Sequence, residues 1–280
     1  MSTLRPTPPA ASQTLAFIGG GNMASAILGG LIQQGTPADQ IWVVEPFAQA
    51  RTKLETQFGV HTLAQAGPEL ASAGMVVWAV KPQNMKEAAA QAGKFCPDAL
   101  HLSVAAGIRS DSLAQWLGSE RIVRAMPNTP ALVGLGQTGL FARSSVNNAD
   151  RQWVAQVVAT TGQLLWVDSE PLLDAVTAIS GSGPAYVFFF IEAMVAAGVK
   201  MGLSEAQAHQ LAVGTFVGSA ELARSANESP ALLREKVTSK GGTTHAAITA
   251  MQDSHMQQHF EAALQAAQRR AHELGDAFGK

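Results

Sequence analysis

The sequence is poor in three things, and each scarcity excludes a class of protein. It has a single cysteine, Cys96, among 280 residues. No internal disulfide can form, as expected in a reducing compartment, and the cytoplasm is the expected location. A lone thiol of this kind reads as a small buried hydrophobe rather than a nucleophile. Charged residues make up only 14% of the chain and sum to −2. That leaves no basic surface to attract nucleic acid. Long unbroken apolar runs are also scarce. The longest, Ala185 to Met201, is interrupted by Glu192 and Lys200, which favours a buried helix over a membrane span, so no membrane partner is expected. His255 and His259 are read as sharing a helix face. No Glu follows His255, so the H-E-x-x-H pattern is absent and no metal site is expected. Gly181-Ser182-Gly183 lacks the spacing of a nucleophile elbow.

What is present is a large apolar fraction, 47% of residues, enough for a sizeable core. Residues 1–13 are rich in Pro, Ser and Thr, lack an apolar signal core, and read as a flexible tail. Residues 14–168 alternate apolar runs with helical periodicity. Strands are expected at Leu15–Ile18, Ile41–Val44, Met75–Val80, Leu100–Val104, Ile122–Met126, Thr138–Ala142 and Leu164–Val167. Helices are expected at Met23–Gln33, Ala48–Phe58, Asn84–Phe95, Asp111–Leu117 and Asp150–Thr161. This alternation predicts an α/β fold, a Rossmann-type doubly wound sheet. Residues 169–280 show helical patterns alone: Pro171–Met201, Ser204–Ala226, Pro230–Val237, and Thr243 to the C-terminus. Pro184 must begin a helix or kink one. So apolar a set of helices cannot bury its own surface, which predicts a dimer built through this half.

Gly19, Gly21 and Ala24 fit the G-x-G-x-x-G/A spacing of a dinucleotide site between a strand and a helix. The first glycine permits the tight turn and the second lets a pyrophosphate approach the backbone. Asn22 and Met23 open the helix, whose free N–H groups favour phosphate. A glycine turn without ligand is the plainer alternative. Glu45 ends the second strand, about twenty residues on, where an acidic side chain accepts from an adenosine ribose. Arg51 on the next helix offsets its charge, so NADH and NADPH both remain open. Val80, Lys81 and Pro82 close another strand at its carboxyl end, where ligands of open sheets sit. Ala106 follows a further strand and is small enough for a cofactor to lie on backbone. Asn128, between two prolines, is either a pre-positioned amide or a turn-stabilising one. In the helical half, Val237–His245 places Gly241-Gly242 before Thr243-Thr244 at a helix start. That is either an anion site or an ordinary capped helix.

Several of these stretches together resemble the pyrroline-5-carboxylate reductases. They are Asp174–Tyr186, Val199–Leu203, Leu233–Ala247, Gly21–Met23, Ala79–Pro82, Val104–Gly107 and Arg124–Ala131. The resemblance runs from about Ala16 to the last helix, and the Val-Thr-Ser…Gly-Gly-Thr-Thr segment is the family's signature. Lys240 departs from it, standing where the family usually has Pro. The resemblance implies reduction of 1-pyrroline-5-carboxylate to L-proline by hydride transfer from NADPH or NADH. It implies that the backbone of Gly242, Thr243 and Thr244, beside Ser239, holds the substrate carboxylate. It sets the Thr244 hydroxyl by the ring nitrogen and brings Glu170 toward that nitrogen. It further implies homo-oligomers paired through the helical half, with rings of dimers in some members. Two other readings of the layout are a 3-hydroxy acid dehydrogenase and a non-enzymatic nucleotide sensor.

Overall fold

The structure is a computed structural model and describes residues 14–278; the expected tail, residues 1–13, lies outside them. Strands and helices follow in the order β1 (Thr14–Ile18), α1 (Asn22–Gln33), β2 (Ile41–Val44), α2 (Ala48–Phe58), β3 (His61–Leu63), β4 (Ala73–Trp78), α3 (Met85–Ala92), β5 (Leu100–Ser103), α4 (Ser110–Leu117), β6 (Ile122–Met126), β7 (Gly136–Ala142), α5 (Asn148–Ala159) and β8 (Gly162–Trp166). The eight strands form one sheet in the order β3-β2-β1-β4-β5-β6-β7-β8. All neighbours are parallel except β6 and β7, which are antiparallel.

The central strands are mostly apolar on both faces because both faces of the sheet are covered. Leu15, Phe17, Val43 and Val77 enter one core, with Ile27 and Leu28 of α1. Ala16, Ile18, Val76 and Trp78 enter the other, with Ile108 and Leu113. Local signals end the elements. Gly59, at φ 70°, caps α2 in the left-handed region. Asn147 and Asp150 form a reciprocal capping box on α5. The order reverses direction between β1 and β4, and the crevice outside the carboxyl ends of those strands is where such sheets bind ligands.

After β8 come α6 (Leu172–Val176), a π-helical turn (Thr177–Gly181), α7 (Gly183–Lys200), α8 (Glu205–Ser225), α9 (Pro230–Lys236), α10 (Thr243–Asp253) and α11 (Met256–Phe278). Pro184 is the second residue of α7, so it begins a helix rather than bending one. His255 stands between α10 and α11 with φ 53°. It does not share a helix face with His259, because the expected continuous helix breaks there.

The chain packs as two units, residues 14–182 with 267–278, and residues 183–266. Packing therefore changes after Ser182, later than the change of composition near Asp168. Within the second unit, Phe260 meets Tyr186 and Phe190 edge-on at 5.8 and 5.6 Å between ring centroids. The expectation that α7 is buried fails for a single chain. Phe188 and Phe189 are 59% and 66% exposed. The run Leu172–Lys200 is long and apolar enough to cross a membrane by length and composition.

Candidate functional site

The glycine turn is built against β4. Gly19 has φ 97°, and a Cβ there would lie 2.6 Å from the carbonyl oxygen of Ala79. Only glycine fits the turn on both counts. Gly21, by contrast, faces open space, with nothing within 4 Å of a Cβ. It is the N-cap of α1 and supplies no side chain to cap it. The amides of Gly21, Asn22 and Met23 find no acceptor among the described residues. Space beside unpaired helix N-terminal amides is the cradle a pyrophosphate requires.

Glu45 is buried rather than solvated, at 8% exposure. One carboxylate oxygen accepts from the Gly20 amide at 3.0 Å and the other from the Phe47 amide at 3.0 Å. Arg51 donates to the carbonyls of Glu45 and Pro46, at 2.9 and 2.8 Å, and so caps the strand end. Glu45 thus ties the glycine turn to the start of α2, and each oxygen keeps a lone pair for a further donor. Val80 lies against the turn, its Cγ1 3.1 Å from the Cβ position of Gly19. Lys81 and Ala106 are exposed at the ends of neighbouring strands, and Pro82 is half-buried.

Two candidates are employed internally. Asn128 is buried, donates to the Ser180 carbonyl at 3.0 Å and accepts from the Gln137 amide at 2.9 Å. Its amide pins the π-helical turn to the entry of β7, so the turn-stabilising reading holds for its side chain. Glu170 is not left facing a ligand. Its oxygens accept from the Ser110 amide and hydroxyl, both at 2.6 Å, and from Arg124. It caps α4 and neutralises a buried arginine. Burial lowers the Arg124 pKa below the usual arginine value, and the adjacent Glu170 opposes that shift. The structure thus ties Glu170 into this cluster, with three donors on its carboxylate and one lone pair of Oε2 unmatched, where a carboxylate free to approach a substrate nitrogen was expected. Burial also pushes the Cys96 thiol up to about 11, which keeps it inert.

In the helical unit, Ser239–Thr244 forms a tight loop into α10. Gly241 has φ 79°, and the Gly242 amide donates to the Ser239 carbonyl at 3.0 Å. Gly242 is therefore the N-cap of α10 and not a free donor, a correction to its expected role. The amides of Thr243 and Thr244 and both threonine hydroxyls meet no acceptor among the described residues. Ser239, Thr243 and Thr244 are exposed. Two unpaired helix N-terminal amides with two hydroxyls beside them are a donor set of the kind a small anion accepts.

Residues 170–274 match the family described as pyrroline-5-carboxylate reductase dimerisation. Residues 14–107 match that described as NADP oxidoreductase, coenzyme F420-dependent. A pyrroline-5-carboxylate reductase of Pseudomonas aeruginosa is 44% identical over 95% of this chain and 98% of its own. The chain belongs to the pyrroline-5-carboxylate reductase family. A solved pyrroline-5-carboxylate reductase of Coxiella burnetii superposes with a TM-score of 0.88 at 36% identity, covering 94% of this chain and 98% of that one. A Plasmodium falciparum pyrroline carboxylate reductase, solved with NADP bound, gives 0.83 at 29% identity, covering 94% and 98%.

Membership in this reductase family gives the exposed face of α7 its meaning. The family's dimerisation domain contains α7, and an exposed apolar face of this kind is characteristic of a surface that association covers. Sequence reading missed Arg109, Ser110, Arg124 and Asp174. Arg109 meets Asp174 at 3.2 Å, and Arg124 meets Glu170. The available signal was that Arg124 stands inside an apolar strand, where an arginine must find a carboxylate.

Proposed function

We propose that this chain reduces 1-pyrroline-5-carboxylate to L-proline with NAD(P)H, the last step of proline synthesis. One observation carries the reading: two helix N-termini that follow a glycine N-cap lack a side-chain cap, α1 after the glycine turn and α10 inside the family's signature segment. One suits a pyrophosphate and the other a small carboxylate.

When bound, the nicotinamide supplies a hydride to the ring carbon of the C=N bond, and a proton on nitrogen completes the secondary amine. The protonated imine is already electrophilic, so the protein's contribution is positioning and exclusion of water. The amides of Thr243 and Thr244, with Ser239 beside them, hold the substrate carboxylate. Gly242 shapes that loop through its bond to Ser239. The Thr244 hydroxyl stands by the ring nitrogen and stabilises its protonated form. Gly19, Gly21, Asn22 and Met23 cradle the pyrophosphate. Glu45 meets the adenosine ribose, Val80, Lys81 and Pro82 line the strand ends, and Ala106 gives the cofactor a backbone surface. The turn held by Asn128 closes the same end of the sheet.

Residues 14–168 act as the dinucleotide-binding domain and 169–280 as the dimerisation and substrate domain. Chains pair through the helical half, each site drawing on two of them, and dimers assemble into rings. The enzyme works in the cytoplasm. Steady-state oxidation of NADH and NADPH in the presence of pyrroline-5-carboxylate tests the activity. Turnover that requires both the cofactor and the imine is expected. Absence of turnover with either cofactor overturns the reading.

A further inference from the structure

The loop after β5, Ala105–Gly107, is held from outside by the end of α11. Gly107 has φ 72°, and a Cβ on it would lie 3.3 Å from the ring of Phe278 and 3.4 Å from Cβ of Leu274. The helix end rests on the loop's backbone. Two residues further, Arg109 reaches the same helix. Its guanidinium donates to the His272 carbonyl at 3.3 Å, lies 3.0 Å from His272 Nδ1, and pairs with Asp174 at 3.2 Å and Asp276 at 3.6 Å. It lies flat on Gly275, where a Cβ would stand 2.5 to 2.7 Å from Nε, Cζ and Nη2. Gly275 thus permits a guanidinium contact that a Cβ would displace, while at Gly107 the left-handed φ favours glycine and the packing against Phe278 and Leu274 is tight. Glu170 holds the next residue, Ser110, through its amide and hydroxyl.

We infer that the last turns of α11 are a clasp that sets the position of the Ala105–Gly107 loop and, through it, the affinity for the nicotinamide cofactor. Arg109, Gly275 and Phe278 are positioning residues, none touching the cofactor. The inference rests on the proposed placement of the cofactor over Ala106. A loop so pinned offers its backbone in one conformation, so no binding energy is spent on ordering it. Released, it must be ordered at each binding event, which weakens cofactor and leaves the Ser239–Thr244 loop, a part of the other unit, alone.

The test uses the full chain and direct fluorescence titration of NADH and NADPH, together with steady-state kinetics. Gly275→Ala evicts the guanidinium, yet alanine favours helix over glycine, so α11 itself is not weakened. Phe278→Ala releases the loop from the other side. Arg270→Ala, on the same helix but paired with Glu273 alone among the described residues, is the control. Ala106→Trp reports on the site. Both clasp variants should raise Kd and KM for cofactor about tenfold, with KM for the imine and kcat held and Arg270→Ala unchanged. If Ala106→Trp abolishes cofactor binding while Gly275→Ala and Phe278→Ala leave Kd unchanged, the clasp is overturned and the site stands. If Ala106→Trp binds cofactor normally, the placement fails and the clasp fails with it. A parallel loss in both KM values would mark a general structural defect and also overturn the inference.

Discussion

Trp78 donates its indole N–H to Nδ1 of His101 at 3.2 Å, inside the sheet between β4 and β5. The bond fixes the neutral tautomer, with the proton on Nε2, and that N–H has no partner among the described residues. Burial lowers the His101 pKa from 6.5 to about 4, and the nearby charge of Arg121 adds to the shift. Between those values the unfolded chain takes up a proton that the folded one refuses, so stability falls as pH falls. The expected loss is about 1.4 kcal/mol per pH unit over that window, about 3 kcal/mol in all. No contribution to the slope is expected above pH 6.5. Urea unfolding of wild type and His101→Leu from pH 7 down to pH 4 checks this. The difference between the two proteins should vary with pH only inside the window.

Glu45 bears on the choice of cofactor. Its carboxylate is buried and held by two amides, so it cannot swing away from a 2′-phosphate. Both cofactors should work, with NADH preferred by no more than about a hundredfold in kcat/KM, or about 1–3 kcal/mol. Glu45→Ser should move that ratio toward NADPH and leave the imine KM nearly unchanged. An unaltered ratio would remove residue 45 from the adenosine end.

Thr244→Ala separates chemistry from folding. Gly242, not Thr244, is the N-cap of α10, so stability should change by less than about 0.5 kcal/mol. Turnover should fall about a hundredfold if the hydroxyl serves the ring nitrogen. Equal kcat/KM in the two proteins excludes it from the mechanism.

Glu170→Ala should do the reverse. It strands Arg124, whose side chain is only 8% exposed, at a cost of about 3 kcal/mol. The kcat per folded molecule should stay within about threefold of wild type. A collapse of kcat at unchanged Tm would return Glu170 to the substrate.

Assembly can be weighed directly. Phe188 and Phe189, with Val217 and Leu222, are too exposed and too apolar for a lone chain in water. Light scattering at micromolar concentration should give a dimer or larger species. A fully active monomer would defeat the shared site.

The sheet was legible because its central strands are apolar runs bounded by Gly, Pro and Asn. The α2 boundaries match expectation, since Gly59 ends that helix unambiguously. β3 was not legible: His61–Leu63 is three residues long, and its strand character comes from pairing with β2. The break at His255 carries no Gly or Pro to announce it. The glycine turn before α1 and the glycine–threonine start of α10 were readable because the signals that shape them are local. The internal partners of Glu170 were not legible, because Ser110 and Arg124 lie 60 and 46 residues away. Asn128 fell between two readings until its bond to Ser180, 52 residues on, settled its side chain. The α7 helix looked like core because composition does not say which chain supplies the cover.

The bond between Glu45 and the Gly20 amide has a consequence for how this enzyme can change. In the proposed binding mode, a substitution at position 45 alters the charge beside the ribose and, in the same stroke, leaves a main-chain donor of the glycine turn unpaired. The two effects are inherited together. A lineage moving from one nicotinamide cofactor to the other cannot reach its destination by a single exchange without loosening the turn that grips both. It must first, or at once, acquire another acceptor for Gly20. Residue 45 is thus a poor first step and a good second one, and the order of substitutions, more than their number, decides which paths are open.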